Sequence, residues 1–195
     1  VALPMVSQLT APFAARHPQV SITITSLTSM AVQRGLDDFT LDAGVTYLDN
    51  EPLSHVRTLP LYRERFHLFA PADAPFASKE VATWKEAATL PLCLLTPDMQ
   101  NRRIVNGLLA QHGVSPQAMI ETNSVLTLWA HIRTGKWATI LPHPFLDLLG
   151  VPEGAKVLPL EGEGFTIGVV VPDREPMTPS ARELLAVAGS IQIPG

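Results

Sequence analysis

The sequence has little cysteine, little charge and no long apolar run. Cys93 is the single cysteine in 195 residues, so an intramolecular disulfide is impossible, which fits a reducing cytoplasm. Charged residues make up only 16% of the chain, the formal net charge is −4 and no basic stripe occurs, which argues against nucleic-acid binding by this chain alone. No apolar run approaches the roughly 20 residues of a membrane span. The start at Val1, without methionine, is expected of a fragment of a longer protein.

Patterns typical of enzymes and metal sites are missing as well. No Gly-x-Ser-x-Gly sequence occurs, and the six histidines lack the spacing of a zinc site. Cys93 lies among leucines, which predicts a buried, inert thiol. The run "EGEGFTIG", Glu161 to Gly168, leads into a strand-like segment rather than a helix, so it predicts a turn and not a phosphate loop. We therefore expect no enzyme activity, no metal and no cofactor.

Strand-like and helix-like segments alternate along the chain. "VSITITS", Val20 to Ser26, alternates apolar and polar residues, which is typical of a half-buried strand. "LPLCLLT" is continuously apolar, which is typical of a strand covered on both faces. The alternation of such strands with helical segments predicts an α/β fold with mostly parallel sheets. Pro12, inside the first helical segment, is expected to kink or shorten that helix.

Candidate ligand-binding residues lie where predicted strands meet predicted helices. In α/β folds ligands bind at the carboxyl ends of strands, and free backbone N–H groups at helix starts suit a small anion such as a carboxylate. Four junctions, at 26–29, 45–47, 95–100 and 121–125, carry small hydroxyl or amide side chains. The candidates are Thr28, Ser29, Thr46, Thr96, Asn123 and Ser124.

Thr96 has two interpretations. Threonine followed by proline is the usual pair at the start of a helix, where the threonine caps the helix and the proline occupies its first turn. Thr178 and Pro179 form the same pair at the last predicted helix, where no other binding signal gathers. Thr96 is therefore either the cap of a helix predicted from Pro97, or a ligand contact, or both.

The order of motifs resembles that of the effector-binding domain of LysR-type transcriptional regulators. The segments that carry the resemblance are "LPMVSQLTAPFAARHPQVSITI", "MAVQRGLDDFTLDAGV", "PLYRERFHLFAPADAPFA" and "ETNSVLTLWAHIRTGKWATILP". Each motif is weakly specific, whereas the ordered series is more specific and covers nearly the whole chain.

The resemblance implies two Rossmann-like α/β subdomains of periplasmic-binding-protein type II, formed by residues 1–68 plus 169–195 and by residues 69–168. Two hinge strands, near Leu68–Pro71 and Phe165–Val170, would join them. It further implies a cytoplasmic, ligand-sensing domain that binds a small anionic or polar effector in the inter-lobe cleft through the six candidates. A homodimer or tetramer is implied, with DNA bound through a helix-turn-helix domain absent from this chain and with no membrane partner.

The sequence differs from the family pattern in two places, and two other functions are alternatives to the one that the resemblance implies. The family's first strand is absent or reduced to Val1–Ala2, and "GKW" at Gly135 to Trp137 places an aromatic side chain where the family often has a second glycine. The alternative function is a periplasmic type II solute-binding protein for a small organic acid. An enzyme on the same fold would need a catalytic acid–base pair, which the sequence does not offer.

Overall fold

A computed structural model describes residues 3–115 and 117–191. It divides into two compact units: the described residues up to Glu64 together with those from Phe165 onward, and the segment Arg65–Gly164. The resemblance implies unit boundaries after residues 68 and 168. Each lies four residues further along the chain than the observed boundaries, which fall after residues 64 and 164. The first strand expected at Val1–Ala2 lies outside the described residues.

Unit 1 contains one three-stranded antiparallel sheet with helices packed on it. The strands are β1 (Gly44–Tyr47), β2 (Val56–Glu64) and β8 (Phe165–Pro172), in the order β1-β8-β2. The helices are α1 (Leu3–Arg16), α2 (Ser29–Asp37) and α7 (Pro179–Ser190). Leu9 of α1 and Ala181 and Ala188 of α7 pack on Val169 and Val171 of β8 and form the core of the unit.

Unit 2 contains two small sheets and four helices in its described part. Its strands are β3 (Phe66–Pro71), β4 (Leu92–Leu95), β5 (Ala118–Thr122), β6 (Thr139–Pro142) and β7 (Ala155–Pro159). The sheets have the orders β6-β3-β7 and β4-β5, and an isolated bridge from Leu92 to Ala138 connects them. The helices are α3 (Trp84–Ala87), α4 (Gln100–Gln111), α5 (Val125–Ile132) and α6 (Pro144–Leu149). Phe69, Trp84 and Leu92 are among its largest fully buried side chains.

The mixed α/β class is confirmed, but the expectation of mostly parallel sheets is wrong. Among the described strands, β4 and β5 pair in parallel, whereas the pairs of β8 and of β3 are antiparallel. In unit 1 this is because β8, which follows β2 by more than 90 residues in the sequence, lies between β1 and β2 in the sheet and runs antiparallel to both. Local alternation of strands and helices carries no information about such a pairing.

In unit 1, the strand predicted over Val20–Ser26 is wrong, and Pro12 does not shorten the first helix. The segment Val20–Ser26 is in no strand, and all of its residues are exposed, so neither of its alternating faces is buried. Helix α1 runs through Pro12 to Arg16. Its residues Met5, Leu9 and Phe13 are all buried along one face, and this packing outweighs the lost backbone donor of the proline.

The described helices are all too short or too polar to cross a bilayer.

Candidate functional site

The first predicted junction forms the start of α2 in unit 1. The hydroxyl of Thr28 accepts a hydrogen bond of 3.3 Å from the backbone N–H of Ala31 and so caps the helix. Ser29, the next residue, donates from its hydroxyl to Oε2 of Glu51 over 3.4 Å. Both hydroxyls are thus already engaged within the unit, and Glu51 adds a negative charge at this helix start.

Thr46 lies on β1, the strand against which α2 packs. It is 9% exposed and stands opposite Gly168 in the β1–β8 ladder. Thr46 is therefore a largely buried polar residue of the β1–β8 ladder.

The two predicted junctions of unit 2 meet at one edge of the parallel β4–β5 pair. Leu95 ends β4 opposite Thr122, which ends β5, and the backbone N–H of Thr96 donates to the carbonyl of Thr122 over 3.0 Å. Asn123 and Ser124 follow directly after Thr122. The structure thus brings Thr96, Asn123 and Ser124 together, as expected where the carboxyl ends of parallel strands share an edge.

Asn123 and Ser124 differ in their surroundings. The hydroxyl of Ser124 accepts from the backbone N–H of Thr127 over 3.3 Å and caps α5, and its own N–H donates to Oγ1 of Thr122 over 3.2 Å. Asn123 is exposed. Ser124 therefore has a structural role in any case, whereas the side chain of Asn123 stands at the surface of this edge.

Thr96 is not a helix cap. Pro97 to Met99 form a turn in which the N–H of Met99 donates to the carbonyl of Thr96 over 3.0 Å, and α4 begins only at Gln100. Met99 occupies the cap position and makes no side-chain cap hydrogen bond. The Oγ1 of Thr96 is buried and has no hydrogen-bond partner among the residues that the structure describes. By contrast, Thr178 accepts from the N–H of Ala181 over 3.3 Å and caps α7.

Sequence reasoning missed Arg102, which lies beside Thr96. Its side chain is 7% exposed, and its Nη1 donates to the carbonyl of Leu95 over 2.6 Å and to Oε1 of Glu121 over 2.7 Å. Its Nε donates to Oδ1 of Asn106 over 2.8 Å. The charged guanidinium thus joins the end of β4, the end of β5 and the second turn of α4.

No signal in the sequence separates Arg102 from its neighbour. Arg103 also binds carbonyl groups, those of Pro97 and Asp98, over 3.2 and 2.7 Å, but at the surface. A helical pattern shows which positions are apolar, and adjacent residues point about 100° apart around a helix, so Arg102 and Arg103 face different surroundings. Arg102 is the one that meets the carbonyl of Leu95 and the carboxylate of Glu121, and these partners come from strands that the local pattern of α4 does not reveal.

The lone thiol and the ionisable groups offer no second site. Cys93 is buried on β4, and burial raises the pKa of its thiol to about 11, so the thiol stays protonated at neutral pH. Within the described ranges, no group of three or more histidine, cysteine, aspartate or glutamate side chains is arranged to hold a metal ion.

Comparison with known proteins connects this arrangement to one family. The family model described as "LysR substrate binding domain" matches residues 1–190. The transcriptional activator protein LysR of Escherichia coli strain K12 is 26% identical over 186 residues, which are 95% of this chain and 58% of that protein. This chain covers 43%, 58% and 49% of the lengths of three curated relatives, so it corresponds to part of each of these three.

Solved structures show the same fold. The reduced form of the OxyR regulatory domain of Pseudomonas aeruginosa matches with a TM-score of 0.79 at 22% identity, covering 96% of this chain and 91% of that one. The CcmR regulatory domain of Synechocystis PCC6803, solved in complex with 2-PG, matches with a TM-score of 0.82 at 15% identity, covering 98% and 92%. These are mixed α/β domains of the periplasmic-binding-protein type II fold, and the match to the family model over 190 of 195 residues makes this chain a member of the LysR substrate-binding-domain family.

Proposed function

We propose that this chain is the ligand-sensing domain of a transcriptional regulator and that Thr96 contacts its effector. The observation that supports the proposal is the buried Oγ1 of Thr96, which has no hydrogen-bond partner within residues 3–115 and 117–191. A buried polar group without a partner costs roughly 1–3 kcal/mol. A bound ligand that hydrogen-bonds this hydroxyl would remove that cost. The binding free energy would therefore become more favourable by the same amount.

The chemistry around Thr96 favours a small organic acid as effector. The hydroxyl can donate to a carboxylate, and α4, which starts four residues later at Gln100, has no side-chain cap, so the positive end of its dipole is not offset by a capping oxygen. Arg102 is already paired with Glu121, so it does not supply an unbalanced positive charge. Recognition would therefore rest on hydrogen bonds and the helix start more than on an ion pair.

The first test is thermal-shift screening with a panel of small carboxylic acids and their uncharged amides, followed by calorimetric titration of the strongest compound. A compound that binds the native state raises the melting temperature in proportion to the logarithm of its concentration over its Kd. Thr96→Val is then compared with Thr178→Val. Both replace a threonine that precedes a proline with the isosteric valine, but only Thr178 makes a cap hydrogen bond.

The two variants separate ligand contact from capping. Thr178→Val should lose about 1 kcal/mol of stability without ligand and keep the full ligand-induced shift. Thr96→Val should keep or slightly increase its stability without ligand, because a buried orphan hydroxyl is removed, and should bind about tenfold more weakly, the equivalent of one hydrogen bond. A full ligand response in Thr96→Val would refute the role of Thr96.

The other five candidates are proposed as further contacts, and Asn123 is the sharpest of them to test. Because Asn123 is exposed and caps no helix, Asn123→Ala should leave stability unchanged and weaken binding only if its amide touches the effector. Thr28 and Ser124 cap helices, so substituting either of them, or another hydroxyl that is already hydrogen-bonded, also changes the local structure. Their role in binding is therefore measured by the same calorimetric titration.

Signalling would be a population shift in which the effector binds one arrangement of the regulator more tightly than another. The proposal includes a cytoplasmic location, a homodimer or tetramer and DNA binding through a domain outside this chain. Its support is that the relative named above, the transcriptional activator protein LysR, is a transcriptional regulator that this chain covers only in part. No observation favours the alternative, a periplasmic solute-binding protein.

A further inference from the structure

Both tyrosines of the chain bind the same buried carboxyl group. The sequence contains two tyrosines, Tyr47 on β1 and Tyr62 on β2. The hydroxyl of Tyr47 donates to Oε1 of Glu64, and the hydroxyl of Tyr62 donates to Oε2 over 2.9 Å. Glu64 is 1% exposed. The effector site proposed above does not use this cluster.

Glu64 occupies a special place in the fold, because it is the last residue of unit 1 before the chain enters unit 2. It stands opposite Phe165, the residue at which the chain returns, at the end of the β2–β8 ladder. The ring of Phe165 also meets the ring of Tyr47 edge-on, with centroids 6.1 Å apart. The carboxyl group thus lies where β1 and β2 end and β8 begins.

Among the described residues, the titratable groups that face Glu64 are the two tyrosines. From β1 comes Tyr47, from β2 Tyr62, and from β8 the apolar ring of Phe165. The charged residue Glu183 of α7, the helix that also packs on β2, turns instead to Arg16 and His17. No lysine or arginine pairs with Glu64 in the described part of the chain.

Two opposing effects act on the charge of Glu64. Two O–H donors suit the ionised carboxylate, which has only acceptors. Burial favours the neutral acid. Burial is the larger effect and raises the pKa of Glu64 to about 7, although the hydrogen bonds from Tyr47 and Tyr62 act to lower it.

We propose that Tyr47, Glu64 and Tyr62 form a proton-operated switch at the exit from unit 1. When Glu64 takes up a proton, its new O–H must donate, so one of the two tyrosine hydroxyls changes from donor to acceptor and must direct its own hydrogen elsewhere. One proton therefore changes the hydrogen bonding of two strand ends at once. The switch acts in the unliganded chain and is independent of the effector site.

The sign of the effect on stability follows from proton linkage. The folded chain binds this proton more tightly than the unfolded chain does, because a carboxyl group in the unfolded chain has its ordinary pKa near 4.3. Glu64 therefore contributes full stability below about pH 4, and this contribution is lost as the pH rises through about 7. Relative to Glu64→Gln, which carries no titrating proton, the wild-type chain should become progressively less stable between these values.

The test is a pH titration of the chain with ¹³C placed at Cζ of tyrosine, observed by NMR. The spectrum contains two signals, one per tyrosine, and each ring carbon reports the hydrogen bond of its own hydroxyl. Both signals should shift between pH 5 and 8.5 with one common midpoint near 7. Ionisation of the Tyr62 phenol does not interfere, since burial and the negative charge of Glu64 raise the pKa of Tyr62 beyond this range.

Two variants make the result decisive. In Glu64→Gln the common transition should disappear, while in Tyr62→Phe the remaining signal of Tyr47 should titrate about one pH unit higher, because one donor to the carboxylate is lost. Invariant signals in the wild-type chain, or a transition that persists in Glu64→Gln, would overturn the proposal. If Glu64→Gln does not fold, the wild-type titration and the direction of the Tyr62→Phe shift still decide it.

Discussion

At the scale of single residues, Gly168 is a position where even one added carbon has no room. A Cβ built there would lie 2.5 Å from Cδ1 of Leu48 and 2.6 Å from the carbonyl oxygen of Leu59. Leu48 could move, but the carbonyl belongs to β2, the strand paired with β8 along its whole length. We expect Gly168→Ala to lower the free energy of unfolding by about 1–3 kcal/mol, the usual range for overpacking. Urea denaturation with a constant m-value measures it.

Gly107 supplies the matched control for Gly168. It lies in the interior of α4, and nothing in the fold comes within 4 Å of an added Cβ. Gly107→Ala should raise stability by about 0.5–1 kcal/mol, because alanine loses less backbone entropy in a helix. Equal effects of the two substitutions would contradict the packing of β8 against β2.

The two Thr-Pro pairs show what could be predicted at the scale of residues. The candidates at the ends of β4 and β5 follow from the strand pattern alone, and the structure brings them together. Whether Thr96 caps a helix does not follow from the pattern, since Thr178 has the same neighbour and does cap one. The difference lies in the turn from Pro97 to Met99, which delays α4 and leaves the hydroxyl buried without a partner.

At the scale of elements, α1 contains a proline that it tolerates at a cost. Pro12 lies nine residues after Leu3, the first residue of the helix. At this interior position it removes a backbone donor and crowds the preceding turn. Pro12→Ala should therefore raise the free energy of unfolding by about 1–2 kcal/mol. This is the helix penalty of proline, about 3 kcal/mol, reduced by the greater entropy of the unfolded chain without it. Thermal and urea unfolding measure the change.

Ala14 tests whether α1 really continues past Pro12. It is exposed and two residues further along, so Ala14→Gly should cost about 1 kcal/mol through helix propensity alone. If α1 ended at Pro12, Ala14→Gly would be close to neutral and Pro12→Ala would give no gain. Opposite effects of the two substitutions are expected.

The elements themselves were predictable where a local pattern agreed with a partner in the fold. β4 and β5 form where the continuous apolar run and "AMIET" indicate strands. The segment from Lys79 to Leu90 reads as one helix, but only Trp84–Ala87 is helical, because Thr83 and Glu86 form a capping box that fixes the start. Before it, Ala82 pairs with Leu160, a partner 78 residues away that no local pattern reveals.

At the scale of the whole molecule, the chain passes between its two units twice, after Glu64 and after Gly164. Each sheet of three strands therefore combines segments that are far apart in sequence, such as β8 with β1 and β2. The resemblance to a family predicts this division, whereas hydrophobic periodicity does not, because periodicity describes each segment and not its partner. The same limit explains the wrong prediction of parallel sheets.

The exposed segment Val20–Ser26 leads to a prediction about assembly. Val20 is 48% exposed and Ile24 55%, in a stretch whose alternation is that of a strand with one buried face. A strand-like segment that pairs with no strand in the described part of its own chain is suited to pair with a second copy, and an interface of two-fold symmetry would bring the same segment from both chains together. Transcriptional regulators that read paired half-sites need such a dimer.

We therefore expect the chain to dimerise through this segment and Ile24→Glu to weaken the dimer at least tenfold, because the substitution would place like charges close together in an apolar contact. Sedimentation equilibrium of the wild-type chain and of the variant measures the change in Kd. Val81→Glu is the control, since Val81 is 49% exposed but lies in unit 2. Each substitution replaces an exposed side chain, so the stability of the monomer should change by less than about 0.5 kcal/mol in both variants. A wild-type chain that stays monomeric at high concentration, or a dimer that Val81→Glu weakens as much as Ile24→Glu does, would contradict this assignment, because in that case the apolar alternation of Val20–Ser26 would not specify the contact.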